Sequence, residues 1–214
     1  MKFLSALVFV LVSFSLLSEN NQSTSHLEKI VLGSGCFWGA EKGYEALPGV
    51  VEAVSGYADG YGVRPSYREI TKFINKFNPN NHAEVVQVTY NKNIISTESL
   101  LEHYLESHDP TQVNQQGNDI GTQYRSIILY TNKEQRRIAE KLILEYQQLL
   151  SNSGYGKIAT AVKSLDEFFK AENYHQDYIA KNPNGYCPDH STGIRFATDK
   201  PIEQKDNSEL LIGK

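Results

Sequence analysis

The sequence predicts an α+β domain: a two-layer α/β sandwich with a ferredoxin-like split β-α-β core, extra helices and an irregular C-terminal tail. Three observations predict it. Short apolar or alternating runs of strand length separate longer amphipathic stretches of helix length. Their order reads β-α-β-β-α-β, followed by α-β-α. Turn-forming clusters, among them Pro48-Gly49, Asp59-Gly60-Tyr61-Gly62 and Asn182-Pro183, fall between them.

Each element has its own justification. Glu28 to Leu32 carries the apolar run of a strand, and Trp38 to Leu47 reads as a helix closed by Pro48-Gly49. Val50 to Tyr57 is a second strand, ended by the turn at Asp59 to Gly62. His82 to Tyr90 alternates, as a half-buried antiparallel strand does. Ser96 or Thr97 caps a helix that runs to Ser107, and neither has a capping-box acid three residues on. Arg125 to Tyr130 is rich in β-branched and aromatic residues and reads as a strand. Lys133 to Leu150 is a long amphipathic helix closed near Gly154. Lys157 to Val162 supplies a further strand, and Glu172 to Lys181 a last helix stopped by Asn182-Pro183.

The 214 residues suit one domain large enough to bury a core, and 40% hydrophobic with 21% charged residues is the balance of a soluble protein. A net charge of −4 excludes a general nucleic-acid binder, and no Lys/Arg run suggests an anionic membrane surface as partner. Six histidines and two cysteines show no metal-ligand spacing, so neither a metal nor another cofactor is expected.

The ends differ from the middle. Lys2 precedes an apolar stretch, Phe3 to Leu17, broken only by serines, with small residues at Ser13, Ser15 and Ser18. This is the pattern of a signal peptide over 1–18, and it predicts export to a periplasmic or extracellular space. An uncleaved, membrane-anchoring signal is the alternative. Residues 19–27 form a polar lead containing the acceptor pattern Asn21-Gln22-Ser23, 28–196 form the folded domain, and 197–214 a polar tail. Met1 is the only methionine, which suits a protein exposed to oxidants.

The chemistry centres on Gly35-Cys36-Phe37-Trp38-Gly39, which places a thiol at a strand-to-helix turn beside the only tryptophan. Free N–H groups at a helix N-terminus favour negative charge, so Cys36 is expected to ionise more easily than an ordinary thiol. Phe37 and Trp38 fit no helical stripe and read as pocket walls. Two cysteines in an exported chain fit a structural bridge as well as a reactive pair, and the count alone does not choose. The loop Gly117 to Ser126 is rich in hydrogen-bonding groups and runs into a strand, which suits a grafted site or a self-bonded turn. Glu84 would be functional only if buried, where it would keep its proton. Tyr67 offers either a ring to the core or a hydroxyl to a polar ligand.

Several segments together resemble a known family. Gly35-Cys36-Phe37-Trp38-Gly39, Gly56-Tyr57-Ala58-Asp59-Gly60, Pro65-Ser66-Tyr67, His82-Ala83-Glu84, Gly117 to Ser126 and Asn182-Pro183-Asn184-Gly185-Tyr186-Cys187 are similar to the motifs of peptide methionine sulfoxide reductase A, in order, across 28–196. The resemblance implies a thiol-dependent reductase of methionine S-sulfoxide, free or in proteins, with 28–196 as its catalytic domain. It implies that Cys36 attacks the sulfoxide sulfur and becomes a sulfenic acid. Glu84 would supply a proton, Tyr67 and Tyr124 would donate hydrogen bonds to the oxygen, and Asp119 would position substrate or water. Phe37 and Trp38 would enclose the S-methyl group. Cys187 would then resolve the sulfenic acid as a Cys36–Cys187 disulfide, reduced by thioredoxin or a thioredoxin-like protein, with the enzyme a monomer.

The chain departs from that pattern twice. No cysteine follows Cys187, which implies a one-step relay, and 71–81 is longer than expected before His-Ala-Glu. Phe73, Ile74 and Phe77 make that insertion partly apolar, like a flap. Two other readings compete: a cysteine hydrolase pairing Cys36 with His82, His108 or His175, and an exported binding domain with a structural disulfide.

Overall fold

The computed structural model describes residues 26–62, 64–186 and 188–197. The signal segment 1–18, the lead up to residue 25 with Asn21, Cys187 and the tail from residue 198 lie outside the described residues.

The elements are β1 (Leu27–Gly33), α1 (Phe37–Glu45), β2 (Val50–Ala58), α2 (Tyr67–Ile70), β3 (Ala83–Asn91), α3 (Thr97–Glu106) and a hairpin of β4 (Gln115–Gln116) and β5 (Asp119–Ile120). There follow β6 (Ile127–Tyr130), α4 (Lys133–Asn152), β7 (Ala161–Ser164), β8 (Phe168–Lys170) and α5 (Tyr178–Lys181). Six strands form one sheet in the order β7-β6-β1-β3-β2-β8. Its centre, β6-β1-β3-β2, is antiparallel throughout and has the strand order of the expected split β-α-β plan. β7 joins one edge parallel to β6, and β8 joins the other edge antiparallel to β2.

The period-2 pattern of β3 sorts its side chains. Glu84, Val86, Val88 and Tyr90 share one face with Ile30, Leu32, Tyr57 and Ile128, and helices α1, α3 and α4 pack there as the main core. Val31, Ala83, Val85, Ile127 and Leu129 form a smaller cluster on the opposite face, under Leu165 and Phe168. Helix starts follow local chemistry. Ser96, rather than Thr97, caps α3 by accepting from the Ser99 N–H at 3.0 Å, and Asn132 caps α4 by accepting from the Gln135 N–H at 2.9 Å.

Three expectations need correction. Strand β7 begins four residues later than Lys157 because its backbone pairs only alongside β6, from Ile127↔Ala161 to Tyr130↔Ser164. β8 is an additional strand. The expected helix Glu172 to Lys181 is reduced to α5, its first half being turns that end at Asp177 with φ 52°. Long-range bonds hold those turns: Gln176 donates to the Ser55 carbonyl at 3.0 Å, and the Asp177 N–H donates to Glu41 at 2.8 Å.

Candidate functional site

Cys36 is the residue immediately before α1. Gly35 makes the turn into it at φ +95°, and a Cβ there would lie 2.8 Å from the Gln116 side chain, so the position takes only glycine. Within α1, Phe37, Glu41 and Tyr44 are buried at helical spacing. Phe37 therefore does belong to a helical stripe, which the carboxylate at its middle hides from an apolar-periodicity reading. Its ring is 1% exposed, with the Tyr67, Tyr57 and His175 rings 6.5, 5.8 and 5.0 Å away. Trp38 is the partly exposed neighbour. It stacks on Tyr178 at 3.8 Å, and its indole N–H donates to His175 Nδ1 at 2.9 Å.

The first turn of α1 has unpaired N–H groups to offer, and two acidic side chains share them. The Phe37 N–H donates to Glu84 Oε2 at 3.2 Å, while the Trp38 and Gly39 N–H groups face the Cys36 sulfur. Cys36 itself is a free thiol. Its expected easy ionisation is not what the site produces. Burial, then the nearby Glu84 and Asp119 carboxylates, push the thiol well above its ordinary value, and the two N–H groups only partly offset this. Without ligand the sulfur keeps its proton.

Glu84 is 1% exposed, and Oε1 has no partner. Burial, opposed by the Phe37 N–H, raises its pKa to about 8, so at neutral pH it is a carboxylic acid. Asp119, on β5, lies 3.8 Å from His190 and next to Tyr186. Burial raises its carboxyl too, against the pull of His190.

Tyr67 opens α2, and Tyr124 ends a short 3-10 turn, Thr122–Tyr124, before β6. Burial pushes the Tyr67 phenol up to about 12, and burial with the Glu84 charge pushes Tyr124 up further, so both remain hydrogen-bond donors across the working pH range. Cys36 and Glu84 act electrostatically on both phenols, which places all four groups in one cluster with Asp119. Cys187 lies outside the described residues, but its flanks border the site. Tyr186 adjoins Asp119, and Pro188 and His190 line a cavity of about 230 Å³ together with Cys36.

Sequence reasoning missed the supporting layer, since it left out Glu172 and weighed His175 only as the base of a hydrolase. Glu172 accepts from the Tyr57 hydroxyl at 2.6 Å and from the Tyr67 N–H at 3.0 Å. His175, 1% exposed, holds the Trp38 indole and stands in ring contact with Tyr67 at 4.5 Å. The signal for both was Glu172-Asn173-Tyr174-His175, which reads as ordinary helix. Arg125 ties the site loops together, donating to Asp59, Asn81 and Thr122 oxygens at 2.6–3.0 Å. The histidines weighed for a hydrolase make other contacts: His108 bonds the Tyr104 carbonyl and Ser126, His175 Nδ1 accepts from Trp38 while its Nε2 has no partner, and His82 stands edge-on to the Phe169 ring. Among the described residues no three His, Cys, Asp or Glu side chains gather as a metal site requires.

The chain as a whole is similar to known proteins. A family model described as peptide methionine sulfoxide reductase matches residues 28–207. A Xylella fastidiosa peptide methionine sulfoxide reductase MsrA is 48% identical over 172 residues, 80% of this chain and 77% of that protein. Methionine sulfoxide reductase A of Corynebacterium diphtheriae superposes with a TM-score of 0.71 at 40% identity, covering 79% of this chain and 82% of that one. Mxr1 from Saccharomyces cerevisiae, solved in complex with Trx2, has a TM-score of 0.51 at 26% identity, covering 79% and 91%.

Proposed function

The chain belongs to the peptide methionine sulfoxide reductase family, and from that premise we propose how its residues divide the reaction. The activity is a thiol-dependent reduction of methionine sulfoxide to methionine, which makes the protein an oxidoreductase of oxidative-damage repair.

The sulfoxide sulfur sits against Trp38, with its methyl group over the aromatic layer that Phe37 backs. Glu84 gives its proton to the sulfoxide oxygen, and the Tyr67 and Tyr124 hydroxyls donate to the same atom. Positive charge then builds on the substrate sulfur. The substrate sulfur now draws the Cys36 electron pair, and as the S–S contact forms the thiol proton passes to the Glu84 carboxylate left by the first transfer, which restores the acid. Oxygen moves to the cysteine: sulfoxide and thiol become thioether and Cys36 sulfenic acid. The Cys187 thiol attacks that sulfenic sulfur, a Cys36–Cys187 disulfide forms, and water leaves. An external dithiol reduces the bond, itself becoming a disulfide. The complex of Mxr1 with Trx2 supports a thioredoxin-type reductant. The substrate in this reading is the S epimer of methionine sulfoxide, free or in proteins.

The observation that carries this reading is the Glu84 carboxyl, 1% exposed, with one oxygen bonded to the Phe37 N–H in the first turn of α1, next to Cys36, and the other without a partner. The test is product counting with separate sulfoxide epimers and a dithiol. Cys36→Ser yields no methionine, and Cys187→Ser yields one equivalent per enzyme and then stalls. Full turnover by Cys36→Ser would refute the assignment.

Residues 1–18 are read as a cleaved signal, which would put the enzyme in a periplasmic or extracellular space, served there by a thioredoxin-like protein; the enzyme is separately read as a monomer. Amino-terminal sequencing of exported protein that still begins at Met1 would overturn this.

A further inference from the structure

We propose that His190 is a positioning residue for the second chemical step: seated on the β4-β5 hairpin, it fixes the segment that follows Cys187 beside Cys36. This deepens the reductase reading and rests on it. In that step the Cys187 sulfur bonds to the Cys36 sulfur, and the sulfenic hydroxyl leaves with the thiol proton as water. His190 follows Cys187 by three residues, at most about 11 Å of extended chain, so its place limits how far that thiol can stray.

The seat is built. Gln116 donates to the Asp109 carbonyl at 2.8 Å and accepts from the Asp109 N–H at 3.2 Å, and the Gly117 N–H donates to the Gln112 side chain at 2.9 Å. At Gly117, φ +55°, a Cβ would lie 2.6 and 2.7 Å from His190 Cε1 and Nδ1, so the imidazole fills the space that a side chain would take. Two residues on, Asp119 Oδ2 faces His190 Nε2 at 3.8 Å; both atoms are buried and neither has a hydrogen-bond partner. The same hairpin touches the turn into Cys36, because Gln116 is the side chain that excludes a Cβ from Gly35. Cys36, Gly39 and Ala40 share the lining of the cavity of about 230 Å³ with Pro188, Asp189 and His190.

His190 is not what holds the chain end to the fold. The Tyr146 hydroxyl donates to the Ile194 carbonyl at 2.9 Å, the Tyr155 hydroxyl to the Thr192 carbonyl at 3.1 Å, and the Phe196 N–H to Glu106 at 2.7 Å. These bonds anchor the segment from Thr192 onward to α3, α4 and the residues just after α4. His190 adds a contact closer in sequence to Cys187, and that contact is made on the site itself. A fixed near neighbour raises the effective concentration of a tethered group and narrows its approach.

The test follows one turnover without reductant. The intact chain is mixed with one equivalent of methionine S-sulfoxide; methionine is counted, sulfenic acid is trapped with dimedone, and the disulfide is read from thiol loss. His190→Ala is expected to release methionine at the wild-type rate, to form the disulfide about tenfold more slowly and to accumulate the dimedone adduct. His190→Gln, whose amide N–H reaches the place of Nε2, should bring disulfide formation back to within about twofold of wild type. Gly117→Ala, which displaces the imidazole, should slow the same step and add nothing in a His190→Ala background. An unchanged disulfide rate in His190→Ala overturns the proposal. So does methionine release slowed as much as disulfide formation, which would mean that His190 acts on the substrate through Asp119. A loss that His190→Gln fails to restore overturns it as well, because packing alone would then account for the residue. A wild-type enzyme that releases no methionine, or that keeps Cys187 a free thiol after turnover, would sink the reductase reading instead, so the two failures are distinct.

Discussion

Two buried carboxyl groups meet at α1, Glu41 from within the helix and Glu84 from β3, and each is 1% exposed, yet their surroundings assign them opposite roles. Glu41 has both oxygens occupied: Oε1 by the Ser55 N–H at 3.1 Å and Oε2 by the Asp177 N–H at 2.8 Å. It fastens α1 to β2 and to the turn before α5. Glu84 has one oxygen bonded to the Phe37 N–H and the other unpartnered. Burial raises both carboxyls above their ordinary range. Burial therefore does not distinguish a latch from an acid. Satisfaction does, because a carboxyl whose oxygens are all engaged has nothing to offer a substrate.

The strongest way to break this comparison is Glu84→Gln. It keeps the shape and removes the proton, and kcat is expected to fall by about 10²–10⁴-fold in steady-state assays while circular dichroism stays native. A drop under about threefold would make Glu84 another latch.

The pH profile sharpens the contrast next. Glu84 holds its proton below a pKa of about 8, raised from 4.5, so the active acid is present below that value and is lost above it. Wild-type kcat/KM should fall about tenfold per unit well beyond pH 8. The residual activity of Glu84→Gln should lack that limb. The same shift bears on stability: the unfolded chain ionises Glu84 near 4.5 while the native state resists, so stability from this group is full below 4.5 and lost as pH rises toward 8. Glu84→Gln should accordingly melt higher than wild type at pH 8 and level with it near pH 4.5.

The smallest effect on catalysis belongs to Glu41→Gln. Its new amide N–H₂ meets a backbone N–H where an oxygen is needed, at a cost of about 2 kcal/mol in urea unfolding. Turnover per folded molecule should stay within about twofold. A loss comparable to that of Glu84→Gln would erase the distinction.

Much of this molecule was legible in its sequence, and the misses share a cause. The β-α-β-β-α-β order could be read because each element carries its own periodicity. Strand β8 could not, because three residues give no pattern. It exists because Gly56 has no side chain: a Cβ there would lie 2.3 Å from the Phe168 ring. The stretch from Glu172 looked helical because its local propensities allow it. Four tertiary partners, Tyr57, Tyr67, Trp38 and Glu41, pull it into turns instead.

The sequence by itself determined the family, the central β-α-β-β-α-β order and the candidate residues Glu84, Tyr67, Tyr124 and Asp119 beside Cys36. Those follow from side-chain order and spacing along one chain. Only the tertiary structure decided the protonation of the two central groups. The helix start that should have ionised Cys36 shares its N–H groups with Glu84, and burial then keeps protons on both. Desolvation is set by everything packed around a group, and here that packing comes from β1, β3, α2, β5 and the loop before β6, segments that meet only on folding.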